Sequence, residues 1–321
     1  MGRLHLTLLG GADGRLSSGS SLDTTPEALA VLAYLALAPR AISDREALAA
    51  LLWGDTPGAQ ADQNLTRTLS ALHRALANAG NPVLVSGDTV ALDLDAVEVD
   101  VHAFERHLAE ATPAAWASAA DLYRGDLLQG FDLGEVAFTE WLVVERERLR
   151  RLAVGALESL LTHEAHHHRA EPAIQMARRL LALNARDEAP GGPPAPVPSV
   201  LVVEDEIVTR EHLIAILTSA GYAVVAAPDG AAALILLSRR PFDLILSDIM
   251  MPVLDGLQLL EIVRDRRIDT PVVFLTGRTG SASEATARQL GAVDYITKPI
   301  DPEVLLRRLA SALRARTRTP G

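Results

Sequence analysis

Four apolar runs of strand length punctuate the C-terminal third of this chain, and each ends in a polar residue. Val200-Leu201-Val202-Val203 gives way to Glu204-Asp205-Glu206, and Leu244-Ile245-Leu246 leads through Ser247 to Asp248. Val272-Val273-Phe274-Leu275 ends at Thr276, and a shorter run over residues 292–297 ends at Lys298. Runs that are apolar throughout, separated by amphipathic segments of helix length, predict a parallel sheet covered on both faces. Open α/β sheets bind ligands beyond the carboxyl ends of their strands, so Glu204, Asp205, Asp248, Thr276 and Lys298 are expected to converge on one pocket.

The first hundred residues carry a different rhythm. Leu4, Leu6 and Leu8 alternate as in a half-buried strand, and Thr25-Pro26-Glu27 is a helix start with proline in the first turn, ending near Leu37 before Pro39. Ser43-Asp44-Arg45-Glu46 has the form of a capping box opening a second helix that reaches Trp53-Gly54. A third helix is predicted from about 60 to 78, with Leu65, Leu69, Leu72 and Leu76 on one face. Val83-Leu84-Val85 and Val90-Ala91-Leu92 flank Ser86-Gly87-Asp88, which has hairpin chemistry. Residues 101–188 read as all helix: short helices over 101–108 and 114–123, a glycine-punctuated turn over 124–132, a long helix from about 136 to 167, and another over 172–183. Residues 189–199 hold five prolines and two glycines and read as a semi-extended linker.

Charge sharpens the C-terminal site. Lys298 is the one lysine among 30 lysine and arginine residues. Its compact ammonium on a flexible stem suits a crowded site holding a phosphoryl group better than a planar guanidinium does. Three neighbouring carboxylates repel, and a divalent cation relieves that repulsion; Mg²⁺ suits a few carboxylates, a backbone carbonyl, waters and a phosphate. The combination predicts a Mg²⁺-dependent phosphoryl acceptor. Asp248 is the nucleophile that forms an aspartyl phosphate, with Lys298 and the Thr276 hydroxyl on phosphoryl oxygens.

With these residues in place, residues 199–316 resemble the receiver domain of two-component response regulators. The matching pieces are Leu201 to Glu206, Asp248-Ile249-Met250-Met251-Pro252-Val253-Leu254-Asp255-Gly256, Leu275-Thr276-Gly277 and Lys298-Pro299. The resemblance implies Glu204 and Asp205 as the acidic pair for Mg²⁺, Asp248 as phosphoacceptor, the Met250 carbonyl as a metal ligand, and Thr276 and Tyr295 as the switch. It also implies a sensor histidine kinase as partner and a Lys298–Pro299 bond that is often cis. Receivers of the winged-helix class pair through the face near the last strand and helix. Asp294 and Arg308 fit one ion pair of such a homodimer, while Val293 and Val304 stand where further charges are expected.

Helix, helix, longer helix and hairpin is the order of a winged helix. Residues 47–55 and 64–76 resemble the winged-helix domain of SARP-type antibiotic regulators, which implies that the third helix enters the DNA major groove. Asn64, Arg67, Thr68, Ser70, His73 and Arg74 are then the candidate DNA contacts. Residues 123–131 and 140–151 resemble the bacterial transcriptional activation domain that follows it in that family, a TPR-like array with possible contact to RNA polymerase; here it stops after about one helical pair. Solenoids need neighbours to cover their apolar faces, so the open end is expected to pack on another copy or on the receiver.

The expected organisation is therefore multidomain: a winged-helix DNA-binding domain over 1–100, a shortened TPR-like region over 101–188, the linker over 189–199, and an α/β doubly wound receiver with a five-stranded parallel sheet over 200–316. The electrostatics of the first domain are atypical. Residues 1–103 carry six arginines against twelve acids, in a chain of net charge −11, whereas DNA readers normally present a basic face. A phosphorylation-gated protein adaptor whose winged helix no longer binds DNA is the alternative. His163-Glu164-Ala165-His166-His167 also matches the H-E-x-x-H of zinc peptidases, although no third ligand presents itself downstream. The chain has no cysteine, which excludes disulfides and thiolate zinc sites. Its longest apolar run, residues 28–38, is too short to span a bilayer, so a cytoplasmic protein is expected. The resemblance implies a phosphoacceptor that gains and loses its phosphoryl group on Asp248 rather than an enzyme.

Overall fold

A computed structural model describes residues 3–184, 197–277 and 282–316; most of the linker expected at 189–199 lies outside the described residues. The chain divides into two compact units, Met1–Ala156 and Leu157–Gly321. No helix among the described residues is long and apolar enough to cross a membrane.

In the first unit, β1 (Leu4–Thr7) pairs antiparallel with β2 (Asp13–Leu16) and buries Leu4 and Leu6. Helix α1 (Pro26–Leu37) opens as its sequence prescribes: the Thr25 side chain accepts the Ala28 N–H and Pro26 occupies the first turn. Then come β3 (Ile42–Asp44), α2 (Arg45–Leu52) and α3 (Gly58–Ala75), whose buried Ala61, Leu65, Leu69 and Leu72 form one stripe. Strands β4 (Val83–Ser86) and β5 (Thr89–Leu92) make the hairpin, with Gly87 at φ +58° in its turn, and β3 joins it in the order β3-β5-β4. The capping box expected at Ser43 does not form. Asp44 makes no side-chain cap bond, because residues 42–44 are committed to β3 and the Arg45 N–H is satisfied by Asp88 O at 2.8 Å.

Strand β6 (Val97–Val99) adds parallel to β1 and leads into α4 (Asp100–Glu110), α5 (Pro113–Leu122) and the long α6 (Val136–His166). Asp100 ties these pieces together: its carboxylate accepts the N–H groups of Leu8 and Leu9, each at 2.9 Å, at the end of β1. Burial pushes its pKa up, against the lowering effect of those two bonds. The glycine-punctuated turn is fastened by Arg146, whose guanidinium donates to Leu127 O at 2.8 Å and Leu128 O at 2.7 Å.

The second unit contains α7 (Ala170–Asn184), followed by β7 (Ser199–Val203), α8 (Ile207–Ser219), β8 (Ala223–Ala227), α9 (Gly230–Arg239), β9 (Leu244–Asp248), α10 (Gly256–Asp265), β10 (Val272–Thr276), α11 (Ala282–Gln289), β11 (Asp294–Thr297) and α12 (Pro302–Arg316). All five strands are parallel, in the order β11-β10-β9-β7-β8. Three are buried along almost their whole length, which their unbroken apolar runs anticipate. Val200, Val202, Leu246 and Leu275 meet Leu213 and Leu217 of α8 and Leu305 and Leu309 of α12 in one core. The strand order reverses at β7, whose neighbours β9 and β8 lie on either side. That reversal opens a crevice at the carboxyl ends.

Candidate functional site

Glu204 and Asp205 follow β7, and Asp248 is the last residue of β9, the adjacent strand. Their carboxylates lie within 4.8 Å of one another, with Glu204 and Asp248 buried and Asp205 exposed. Lys298, one residue past β11, reaches across the crevice and places Nζ 2.6 Å from Asp248 Oδ2 and 3.1 Å from Glu204 Oε1. The bond that follows it, Lys298–Pro299, is cis. The sheet thus brings together residues up to 94 positions apart.

Burial is the largest influence on Glu204 and raises its pKa; the charge of Asp248 adds to that, while the bond from Lys298 opposes it. For Lys298, burial acts to lower the pKa, but its bonds to Asp248 and Glu204 outweigh burial and hold it above the usual lysine value. One ammonium faces three carboxylates, so the ionised cluster keeps surplus negative charge. Glu204 Oε2 is buried and accepts no well-formed hydrogen bond, although Lys298 Nζ lies at 3.0 Å. A buried acceptor with spare capacity beside two further hard oxygen donors fits a small divalent cation such as Mg²⁺.

Three supports of this cluster escape a sequence reading. Arg210 in α8 turns back and donates to Glu204 O at 2.7 Å and Asp205 O at 3.2 Å, fixing the loop that carries both acids. A Cβ at Gly256 would overlap Asp248 O and lie 2.9 Å from Phe274 Cε1, so only glycine lets α10 begin against the acceptor strand. Asp255 and Gln258 then close that helix start as a capping box. The sequence signal was present in Asp255-Gly256-Leu257-Gln258, but the close approach it serves is a tertiary fact.

The loop between Asp248 and Gly256 is itself strained. Met250 donates its N–H to Asp248 Oδ1 at 3.1 Å while its side chain stands 76% exposed. Val253 sits at φ +69°, a left-handed conformation that a β-branched residue adopts at a cost. Val253→Gly is expected to raise stability by about 0.5 to 1 kcal/mol, because relief of that strain exceeds glycine's added unfolded-state entropy. A fall in the thermal midpoint would contradict the strain assignment.

Thr276 ends β10 and is buried, beside β9 in the sheet, and its carbonyl accepts the Lys298 N–H at 2.8 Å. Tyr295 on β11 stacks on Phe274 at 6.2 Å and lies under the Arg288 guanidinium at 5.4 Å. Asp294 and Arg308 pair with each other inside the chain at 2.7 Å.

The candidate DNA contacts divide into two groups. Arg67, Ser70 and Arg74 are exposed on α3. Asn64 is half-buried and accepts from Gln60 at 3.2 Å and Arg67 at 3.4 Å, and Thr68 is also half-buried. His73 turns inward instead, bonding Val83 O at 2.8 Å and pinning α3 to the hairpin. The H-E-x-x-H stretch does not assemble a peptidase centre. The rings of His163 and His167 lie 4.3 Å apart, tilted by 53°, but Glu164 is buried and ion-paired with Arg169 at 2.8 Å. Among the described residues, the carboxylates of Glu204, Asp205 and Asp248 are the only group of three such ligands close enough to share a metal.

Residues 200–310 match the response regulator receiver domain, and residues 92–191 match the bacterial transcriptional activator domain. The transcriptional regulatory protein DltR of Streptococcus agalactiae is 41% identical over 119 residues, covering 37% of this chain and 51% of that protein. The aerobic respiration control protein ArcA of Escherichia coli is 40% identical over 116 residues, covering 36% and 48% respectively. The chain thus spans about half the length of the curated relatives it matches. The chemotaxis response regulator CheY4 of Vibrio cholerae is 35% identical, with a TM-score of 0.35, over 36% of this chain and 98% of that one. A five-stranded parallel sheet, an acidic cluster at its carboxyl edge and a facing lysine come together in the segment that matches the response regulator receiver domain, and it follows a segment, residues 92–191, that matches the bacterial transcriptional activator domain.

Proposed function

We propose that this chain is a phosphorylation-controlled transcription regulator in which Asp248 accepts a phosphoryl group from a sensor histidine kinase. The observation that carries the reading is the convergence of Glu204, Asp205, Asp248 and Lys298 at the switch point of the sheet. Asp248 Oδ attacks phosphorus, the bond from phosphorus to the donor's imidazole nitrogen breaks, and the nitrogen keeps that electron pair. Lys298 and the Thr276 hydroxyl stabilise the phosphoryl oxygens, and Glu204, Asp205, Asp248 and the Met250 carbonyl would hold Mg²⁺. The cation supplies charge neutralisation that lets an anionic nucleophile approach an anionic phosphoryl group. Removal of the ammonium from Asp248 towards the new phosphate is expected to shift Thr276 and Tyr295, and with them the face formed by α11, β11 and α12. Homodimerisation through that face requires Asp294 and Arg308 to exchange their internal pair for one across copies.

On this reading the winged helix is the output, with α3 in the major groove and Arg67, Ser70 and Arg74 as its exposed polar contacts, and the region over residues 101–188 is available to RNA polymerase. The excess of acids in residues 1–103 and the inward turn of His73 favour a second reading, a phospho-gated adaptor that binds protein. Gel shift with genomic fragments at low salt, with and without acetyl phosphate and Mg²⁺, separates the two. A shift that strengthens with phosphodonor is expected; no shift in either state excludes the DNA-binding reading.

A further inference from the structure

Helix α9 contains seven consecutive apolar residues, Ala231 to Leu237, followed by Ser238 and Arg239. A helix apolar on every side needs cover on every side. Strands β7 and β8 cover part of it, and Ala231, Ala233, Leu234 and Leu237 are buried. The other cover is α7, which packs along α9 and touches α10, with Ala173, Ala177, Leu180 and Leu181 buried. Polar clamps fix the register at the far ends of both helices. Asn184 donates to Ser238 O at 2.7 Å, and Arg239 forms a two-pronged pair with Glu158 at 2.9 and 2.8 Å. Arg178 pairs with Asp265 at 3.1 Å, and Arg266 donates back to Arg178 O. Single exposed pairs of this kind contribute little energy, so their effect is on alignment while the apolar contact supplies adhesion.

The near ends of the same two helices rest on the loop of residues 249–255. Gly230 opens α9, where a Cβ would lie 2.5 Å from Leu254 O; Gly256 opens α10, where a Cβ would overlap Asp248 O. Two ten-residue helices, each about 15 Å long, therefore run from the Asp248 loop to the clamps on α7 and on the end of α6. Close-packed contacts at both ends leave little room for a loop shift to be absorbed locally.

We infer that α9 and α10 carry a phosphorylation signal from the Asp248 loop to α7, making the helical segment a second receiver output alongside the α11, β11 and α12 face. The inference rests on Asp248 being the phosphoacceptor. Its test is hydrogen exchange of the full chain with and without acetyl phosphate and Mg²⁺, with phosphoryl content of each sample measured by mass. Exchange of α7 amides is expected to change by about fivefold or more on phosphorylation. Arg178→Glu, which sets like charge against Glu261 and Asp265, is expected to raise α7 exchange in both states and erase that difference while leaving phosphoryl uptake intact. A phosphorylated chain whose α7 exchange is unchanged overturns the inference alone. A chain that takes up no phosphoryl group overturns the Asp248 reading and this inference with it.

Discussion

Gly256→Ala is expected to cost the receiver-like segment about 3 kcal/mol or more, a large share of the stability of a domain this size. The added methyl overlaps the carbonyl oxygen of Asp248 and crowds the Phe274 ring. Neither neighbour has room to retreat. Asp248 lies in a central strand with β7 and β10 on its two sides, and Phe274 is fully buried. The helix start cannot slide away either, because Asp255 and Gln258 lock it in a reciprocal cap. Thermal denaturation followed by far-ultraviolet circular dichroism checks this. A midpoint within a degree or two of the parent would mean that α10 does not approach the acceptor strand as described.

The second large effect belongs to Lys298. Removing its ammonium leaves Glu204 and Asp248 facing each other in a buried site, with the exposed Asp205 adding a third negative charge nearby. Breaking a buried ion pair from one side costs about 3 to 5 kcal/mol, and the 27% exposure of the lysine side chain places Lys298→Ala at or below the lower end. Mg²⁺ is expected to restore much of the loss, since the cation and the ammonium neutralise the same carboxylates. The variant should therefore gain more from Mg²⁺ than the parent does, measured as a shift in thermal midpoint between chelator and excess Mg²⁺. A group whose folded pKa is raised contributes stability that persists below its unfolded value of 10.5 and is lost only as pH rises past the folded value, so neutral buffers leave the Lys298 contribution intact. Equal midpoints for variant and parent in chelator would show that the cluster does not depend on this cation.

Much of the site was legible because its residues terminate buried strands. An unbroken apolar run fixes a strand, and the first polar residue after it fixes a position on the sheet's rim; Glu204, Asp248 and Lys298 needed no other information. Strand β8 lacked that signal. Its alanine-rich edge sequence, Ala223 to Ala227, is only partly buried and carries little apolar weight. Arg210 was equally silent, because an arginine in a first helical turn looks the same whether it faces water or folds back onto two carbonyls. His73 sits at a spacing that fits an outward contact on α3, yet the hairpin carbonyl of Val83 captures its ring. The capping box at Ser43 failed for a related reason, as strand pairing with β5 satisfied the backbone first. The cover that α7 gives α9 was written in the run Ala231 to Leu237, but an all-round apolar helix says only that something covers it. In each case local pattern determined what the residue is able to do, and long-range packing determined which option it took.

On the proposed reading Asp248, held by Lys298 beside the two acids that follow β7, is the phosphoryl acceptor. Intact-mass measurement after incubation with acetyl phosphate and Mg²⁺ tests it most directly, with the modified residue located by borohydride trapping of the acyl phosphate. The account predicts one phosphoryl group per chain, located at Asp248, dependent on Mg²⁺ and absent from Asp248→Asn. Uptake that persists in Asp248→Asn, or a trapped site elsewhere in the chain, would contradict it.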